Sequence, residues 1–415
     1  MKFVTDFAKS KKDNSSIIFK SVIAKEAKSK DKSVINATIG MLYDDNEEFY
    51  TFKSVDAVDK ILKNEEKFPY TNSVGIKPFC KAVPKWVFGQ YYDYFKKNEY
   101  LETIATPGGS GAISNAFSNY LNPGEIVLLP DEMWSNYIQM AYENHLGYTT
   151  YKMFNDKGTF NLAELKGTIL ELQKNQARIV MVVNDPCHNP TGYCLTREEW
   201  QGLIEIINEV ATKDHPFILF YDMAYIDYDK RGYDFTRQTI YDFRLLNEHV
   251  FTILGFSGSK TLGLYGLRIG AMMGLSKDKD TITEFLDSCQ FSARAKYSMC
   301  STYGMYLVAK VLGEEPYLTD FKKEIADVSK FIKERSDIFI AESEKIGLKT
   351  LPFKCGFFVT VPCKNDEAVY DYLVTKKVHV APVGKAIRVA ICSISKEHAK
   401  LLPSLIKEAI LKVDK

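Results

Sequence analysis

The chain has 415 residues, 46% of them hydrophobic and 26% charged, which fits a globular protein of two domains and excludes a disordered chain. Its 54 basic and 53 acidic residues leave a net charge of +1, so neither nucleic acid nor an anionic membrane is expected as a partner. Residues 1–12 lack an apolar signal-like run and no stretch approaches a membrane span, so the expected location is cytoplasmic.

Apolar runs alternate with helical patterns through the middle of the chain, the signature of an α/β domain. Strands are expected at 125–130, 179–184, 217–222, 251–256 and 268–274, with a helix over 196–213 opened by a capping box, Thr196 to Glu199. After about Ser292 the pattern becomes that of a smaller α+β domain. It has a linking helix near 299–312, helical stretches over 318–347, and strands at 356–361, 378–381 and 386–392. A last helix covers 396–412. The expected organisation is an N-terminal segment over 1–50 that packs with the small domain, a large domain over 51–300 and a small one over 301–415. The eight cysteines (Cys80, Cys187, Cys194, Cys289, Cys300, Cys355, Cys363, Cys392) include no C-x-x-C pair. Their spacing suggests free buried thiols in a reducing compartment, with no metal site and no disulfide framework.

Six segments carry chemistry. Thr106-Pro107-Gly108-Gly109-Ser110-Gly111-Ala112 precedes a helical pattern, and glycines at a helix N-terminus let the backbone approach an anion; it is equally an ordinary Gly-rich loop. Trp134 follows an expected strand and could stack on a flat heteroaromatic ring or fill a core. Asn184-Asp185-Pro186-Cys187-His188-Asn189-Pro190-Thr191-Gly192 forces an ordered turn, structural or aiming the Asn189 amide into a pocket. Asp222 ends a wholly apolar strand, where a carboxylate either caps a turn or meets a cation such as a protonated pyridine nitrogen. Lys260 lies between small polar residues in Ser257-Gly258-Ser259-Lys260, with Arg268 eight positions on, a pattern suited to a Schiff base beside a phosphate. Arg388 falls inside the apolar run Ala386-Ile387-Arg388-Val389-Ala390-Ile391 and requires a carboxylate, from a substrate or from a structural salt bridge.

Together these segments make pyridoxal 5'-phosphate (PLP) the leading cofactor. From about Gly40 to Arg388, in order and spacing, the chain resembles the class I aminotransferases of the aspartate/aromatic group, which are fold-type I PLP-dependent enzymes. The resemblance implies a mostly parallel central sheet sandwiched by helices, a smaller α+β domain, and ping-pong amino transfer from an L-amino acid of aspartate/glutamate or aromatic type to a 2-oxo acid. It also implies roles. Lys260 forms the Schiff base and shuttles the proton; Asp222 binds the pyridinium nitrogen; Asn189 and Tyr225 bond the phenolic oxygen; Trp134 stacks on the ring. Gly109, Ser110, Ser257 and Arg268 hold the phosphate, joined by Tyr70 from the neighbouring subunit of a homodimer. Arg388 grips the substrate α-carboxylate and the segment at Gly40 covers it. Two positions depart from the pattern. Tyr137 stands where the aspartate aminotransferase pattern has a histidine backing the cofactor's aspartate, so that contact must differ. Arg294 sits in a segment like that of the distal-carboxylate arginine but lacks the usual Asn-Pro-Pro after it, so it either binds aspartate or glutamate side chains across the dimer interface or is a surface residue.

Three other readings compete. A C–S lyase doing β-elimination uses the same fold. A PLP-binding regulator needs a DNA-binding module ahead of Gly40, where fewer than 40 residues stand. Ser257-x-x-Lys260 also fits the serine β-lactamase S-x-x-K, but the companion S-D-N and K-T-G elements are absent.

Overall fold

A computed structural model of the chain describes residues 3–11 and 16–414. The chain forms two compact units. The larger is Phe49–Glu334 with Pro352–Phe357; the smaller combines residues up to Glu48 with Arg335–Leu351 and Phe358–Lys415. The sequence pattern draws the boundary near 300, whereas the observed division falls within the helix Tyr317–Ile346. The reason is packing: helix Thr302–Gly313 buries Met305, Leu307, Val308, Val311 and Leu312 and lies against helix Lys77–Phe88 of the larger unit.

The larger unit is built on a seven-stranded sheet. Its strands are β1 (Tyr100–Thr106), β2 (Ile126–Pro130), β3 (Gly147–Tyr151), β4 (Ile179–Asn184), β5 (Phe217–Asp222), β6 (Val250–Ser257) and β7 (Gly270–Ser276). Their order is β1-β7-β6-β5-β4-β2-β3, parallel from β6 through β3, while β7 runs antiparallel to both neighbours. Every residue of β4, β5, β6 and β7 is buried, so these strands read in sequence as unbroken apolar runs. Edge strand β1 alternates exposed and buried positions at its start and edge strand β3 alternates half-buried and exposed ones, so neither reads as an apolar run. The strand expected from Arg268 begins two residues later, because Arg268 takes a left-handed φ of 51° that no strand accommodates.

Register brings the strand ends to one edge. Asn184 pairs with Asp222, Asp222 with Gly255, and Gly270 with both Ser257 and Thr106. An open parallel sheet binds ligands beyond such carboxyl ends.

The smaller unit has a three-stranded antiparallel sheet of β8 (Phe358–Pro362), β9 (Ala381–Pro382) and β10 (Ala386–Ala390), with β10 in the middle. Residues 37–43 run beside it: the Ala37 N–H donates to His379 O (2.8 Å), Ala390 N–H to Ala37 O (2.9 Å) and Tyr43 N–H to Cys392 O (3.0 Å). Fully buried Arg335 holds the same stretch, donating to Tyr43 O, Cys392 O and Asp45.

Behind the sheet edge lies a buried ion pair. Arg237 Nη2 donates to Asp227 Oδ1 (2.8 Å), and both side chains are buried almost completely. Asp227 Oδ2 accepts from Trp86 Nε1 (3.2 Å) and Thr261 Oγ1 (2.8 Å), which ties it to the residue after Lys260. Asp227→Ala strands the Arg237 charge in the interior. We expect a loss of about 3–5 kcal/mol in urea unfolding at unchanged m-value, with Asp227→Asn losing less.

Candidate active site

Asp222 ends β5 fully buried among apolar strands. Its Oδ2 accepts a 2.5 Å hydrogen bond from the Tyr137 hydroxyl and its Oδ1 accepts from the Ala224 N–H at 3.2 Å. No basic side chain of the described residues pairs with it. Burial raises its pKa, against the lowering effect of those two donors. Tyr137 is raised well above an ordinary phenol, first by burial and then by the adjacent carboxylate, so it keeps its proton and donates. The contact behind the aspartate therefore does differ from a histidine's: a phenol serves there.

Asn184 ends β4 beside it. Its Nδ2 donates to Asp222 O (2.9 Å) and its Oδ1 accepts the Asn189 N–H (2.8 Å), so strand end and turn are locked together. Asp185 anchors the same turn, accepting Leu195 N–H (2.8 Å) and the Tyr221 hydroxyl (3.1 Å). Burial pushes Asp185 up to about 7.

An anion cradle forms where β1 and β6 end and β7 begins. Helix Gly108–Tyr120 starts inside the Gly-rich segment with no side-chain cap, so its first N–H groups and its dipole face outward. Gly108 has φ 69°, and a Cβ there would stand 2.7 Å from Arg268 Nη2, so the guanidinium lies over the helix start. Gly270 allows the close approach: a Cβ there would meet the Gly108 backbone at 2.7 Å. Arg268 Nη1 donates to Ser259 Oγ (2.9 Å) and Tyr265 O (3.0 Å), while the Cβ of Ser257 lies 3.8 Å from where a Gly109 Cβ would be. Ser257 and Ser259 are both buried here.

Lys260 sits in the short helix Gly258–Thr261 that follows β6. Its Nζ is 5.5 Å from the centre of the Tyr225 ring, 5.1 Å from Tyr265 and 5.6 Å from Phe357. Its carbonyl accepts from the Tyr228 hydroxyl (2.7 Å). Trp134, half-buried, meets Tyr137 edge-on at 5.5 Å.

The larger unit thus gathers Gly109, Ser110, Trp134, Asn189, Asp222, Tyr225, Ser257, Lys260 and Arg268 around the carboxyl ends of its strands. Tyr70 and Arg294 are together elsewhere in that unit, lining an open cleft of about 680 Å³ with Asn72, Ser298 and Met299; Arg294 donates to Ser298. Arg388 and Gly40 belong to the smaller unit. Arg388 is buried in β10, its guanidinium 4.1 Å from the Phe358 ring centre and its Nη2 donating to Thr38 O (3.0 Å), two residues from Gly40. Sequence reasoning passed over Asn184, Ser259, Tyr265 and Phe357. Ser259 lies within the quoted Lys260 segment and was open to the same argument as Ser257.

These residues suit PLP. A buried carboxylate without a basic partner matches a protonated ring nitrogen, and the cradle of helix N–H groups, serines and arginine matches a dianionic phosphate. The architecture is that of the fold-type I PLP-dependent transferases. The sequence profile of the family "aminotransferase class I and II" matches residues 32–402, and the chain belongs to that family. It is similar to the cytoplasmic aspartate aminotransferase of Dictyostelium discoideum, 29% identical over 308 residues (73% of this chain, 67% of that protein). It is also similar to the tyrosine aminotransferase of Klebsiella pneumoniae, 27% identical over 296 residues (70% and 72%). Among solved structures, the aminotransferase from Anaerococcus prevotii superposes with a TM-score of 0.93 at 29% identity, covering 99% of this chain and 100% of that one. The chain is a PLP-dependent aminotransferase, and these relatives do not favour the C–S lyase alternative.

Tyr137→Phe removes the phenol donor from Asp222. A hydrogen bond to a charged group contributes about 1.5–3 kcal/mol, so we expect PLP affinity, measured by equilibrium dialysis, to fall about 10- to 100-fold. Asp185 has a raised folded pKa, so its contribution to stability is complete below the unfolded value of 3.8 and is lost as pH rises through about 7. Asp185→Asn should therefore flatten the decline in unfolding free energy over that range, as read from urea titrations at successive pH values.

Proposed function

We propose that the enzyme transfers the amino group of aspartate, glutamate or an aromatic L-amino acid to a 2-oxo acid, with Lys260 and Asp222 as its catalytic pair. The observation that carries this reading is the buried Asp222 carboxylate, which no basic side chain of the described residues meets, at the strand end beside that of Lys260. Bound PLP supplies an electron sink, and a carboxylate facing its ring nitrogen keeps that nitrogen protonated. Lys260 Nζ would hold the cofactor, and the same amine would move the proton that leaves the substrate Cα. The aromatic wall of Tyr225, Tyr265 and Phe357 keeps water from that amine. Asn189 and the Tyr225 hydroxyl bond the phenolic oxygen, and Trp134 stacks on the ring. Gly109, Ser110, Ser257 and Arg268 hold the phosphate, with Ser259 steadying the arginine.

In the same reading Arg388 grips the α-carboxylate of amino acid and oxo acid alike, and the segment at Gly40 covers it. The enzyme acts as a cytoplasmic homodimer. Tyr70 and Arg294, grouped on one open cleft, serve the neighbouring subunit: Tyr70 reaches the phosphate and Arg294 reads a distal carboxylate. Among the described residues no helix is long and apolar enough to cross a membrane.

Borohydride reduction should fix PLP to the wild-type chain and leave Lys260→Ala unlabelled, with nearly all turnover gone. Asp222→Ala should still bind PLP and lose most of kcat; near-normal kcat would remove Asp222 from the mechanism. For Arg388→Ala, losing a buried charge partner of about 2–5 kcal/mol should weaken amino-acid and oxo-acid binding about 30-fold or more. Arg294→Ala distinguishes the donors. A fall in kcat/KM confined to aspartate and glutamate supports the dicarboxylate reading, and no change there leaves the aromatic one.

A further inference from the structure

Cys187 and Cys194, seven residues apart, meet the sequence-distant Cys355 inside the larger unit. The sulfur of Cys194 lies 3.2 Å from that of Cys355 and 4.0 Å from that of Cys187, and Cys187 and Cys355 are 3.6 Å apart. All three are buried, and none is in a disulfide. Their spacing in the chain points to no metal site, since a gap of six residues separates the first two and the third comes from the segment before β8. The fold nonetheless forms a closed triangle of soft ligands.

Its dimensions decide what it suits. A tetrahedral zinc ion with Zn–S bonds of about 2.3 Å sets its sulfurs about 3.8 Å apart, within the observed range of edges. Backbone donors face two of the sulfurs: the Cys187 N–H points at Cys194 Sγ (3.2 Å) and the Lys230 N–H at Cys355 Sγ (3.5 Å). A fourth corner is also at hand: Asp229 Oδ1 is 3.9 Å from Cys355 Sγ, and Arg231 holds that carboxylate in place.

We propose that Cys187, Cys194 and Cys355 bind one thiophilic divalent cation, zinc, as a structural site, with Asp229 or a water as fourth ligand. Binding exchanges three S–H protons, released to solvent, for three S–Zn bonds and requires no oxidant. The ion clamps the 188–193 loop, which carries Asn189, to the 352–357 segment. Backbone bonds already join the two: the Lys354 and Cys355 N–H groups both donate to Gly192 O, at 2.9 and 3.0 Å. Gly356 leaves no room for slippage, since a Cβ there would stand 2.5 Å from the Cys187 Cβ. This inference does not rest on the proposed amino-acid substrates.

The test is metal content of the full chain, purified with its PLP from zinc-supplemented culture and passed over chelating resin. Mass spectrometry of the metal should find about one zinc per chain. Cys187→Ser, Cys194→Ser and Cys355→Ser should each fall below about a tenth of that, and Cys363→Ser, on the smaller unit, should keep it. Should the serine variants fail to fold, wild-type protein stripped of metal and titrated with cobalt(II) alone gives an independent answer. A thiolate-to-cobalt charge-transfer band with tetrahedral d–d absorption supports the site. Wild-type protein without zinc and without that cobalt spectrum overturns it. Intact mass and alkylation would then show whether the cluster is a disulfide with one thiol or three packed thiols.

Discussion

A carboxylate buried at the end of a parallel strand is the constraint around which this enzyme is arranged. Asp222 loses its hydration to an interior that disfavours charge, and among the described residues a phenol and one backbone N–H donate to it in return. Such a group is unfavourable in the isolated protein and favourable once a cation arrives. In the proposed reading, PLP binding and the electronic state of its ring are linked through this one side chain. Tyr137 sets the balance: as a donor it favours the ionised carboxylate, yet it carries no charge that would compete with the ring nitrogen. A histidine in that place could add a positive charge. A phenol held well above its ordinary pKa cannot.

The sheet then determines what can stand near that carboxylate. Parallel pairing of β4, β5 and β6 carries Asn184, Asp222 and Gly255 to one level, and each strand passes directly into a segment with a task. After β4 comes the Asn189 turn, after β5 Tyr225, and after β6 the Lys260 helix. Antiparallel β7 brings Gly270 back beside Ser257 and Thr106, which lets Arg268 lie over the N-terminus of helix Gly108–Tyr120. The buried Arg237–Asp227 pair supports the same edge from beneath, since Asp227 bonds both Trp86 and Thr261. Precision at the site follows from backbone ladders and buried hydrogen bonds, and the exposed loops contribute little to it.

Much of this was legible in the sequence because several residues violate local rules. An aspartate closing an apolar strand, an arginine inside one, and a lysine among small residues are each unfavourable unless a ligand or partner meets them. The strands around them read clearly for a related reason, being buried on both faces. What stayed hidden depends on parts of the chain that meet only after folding. Tyr137 lies 85 residues from Asp222: the resemblance marks its position, but nothing in its own neighbourhood shows that its hydroxyl bonds the carboxylate. The boundary near 300 failed because helix Thr302–Gly313 is apolar enough to join the larger core, which local composition alone does not reveal.

The cysteines make the same point more sharply. Scattered thiols read as free in the sequence, and their spacing carries no further information. Yet the turn that carries Asn189 begins at Cys187 and closes at Cys194, and its closure brings two sulfurs together. The third arrives because the strand-like segment before β8 must lie against Gly192, where two N–H groups find one carbonyl. The triangle is thus a by-product of geometry that the PLP site needs for its own reasons. A site of that origin can gain a metal without any change in catalytic residues, because the backbone has already met the entropy of assembling the ligands.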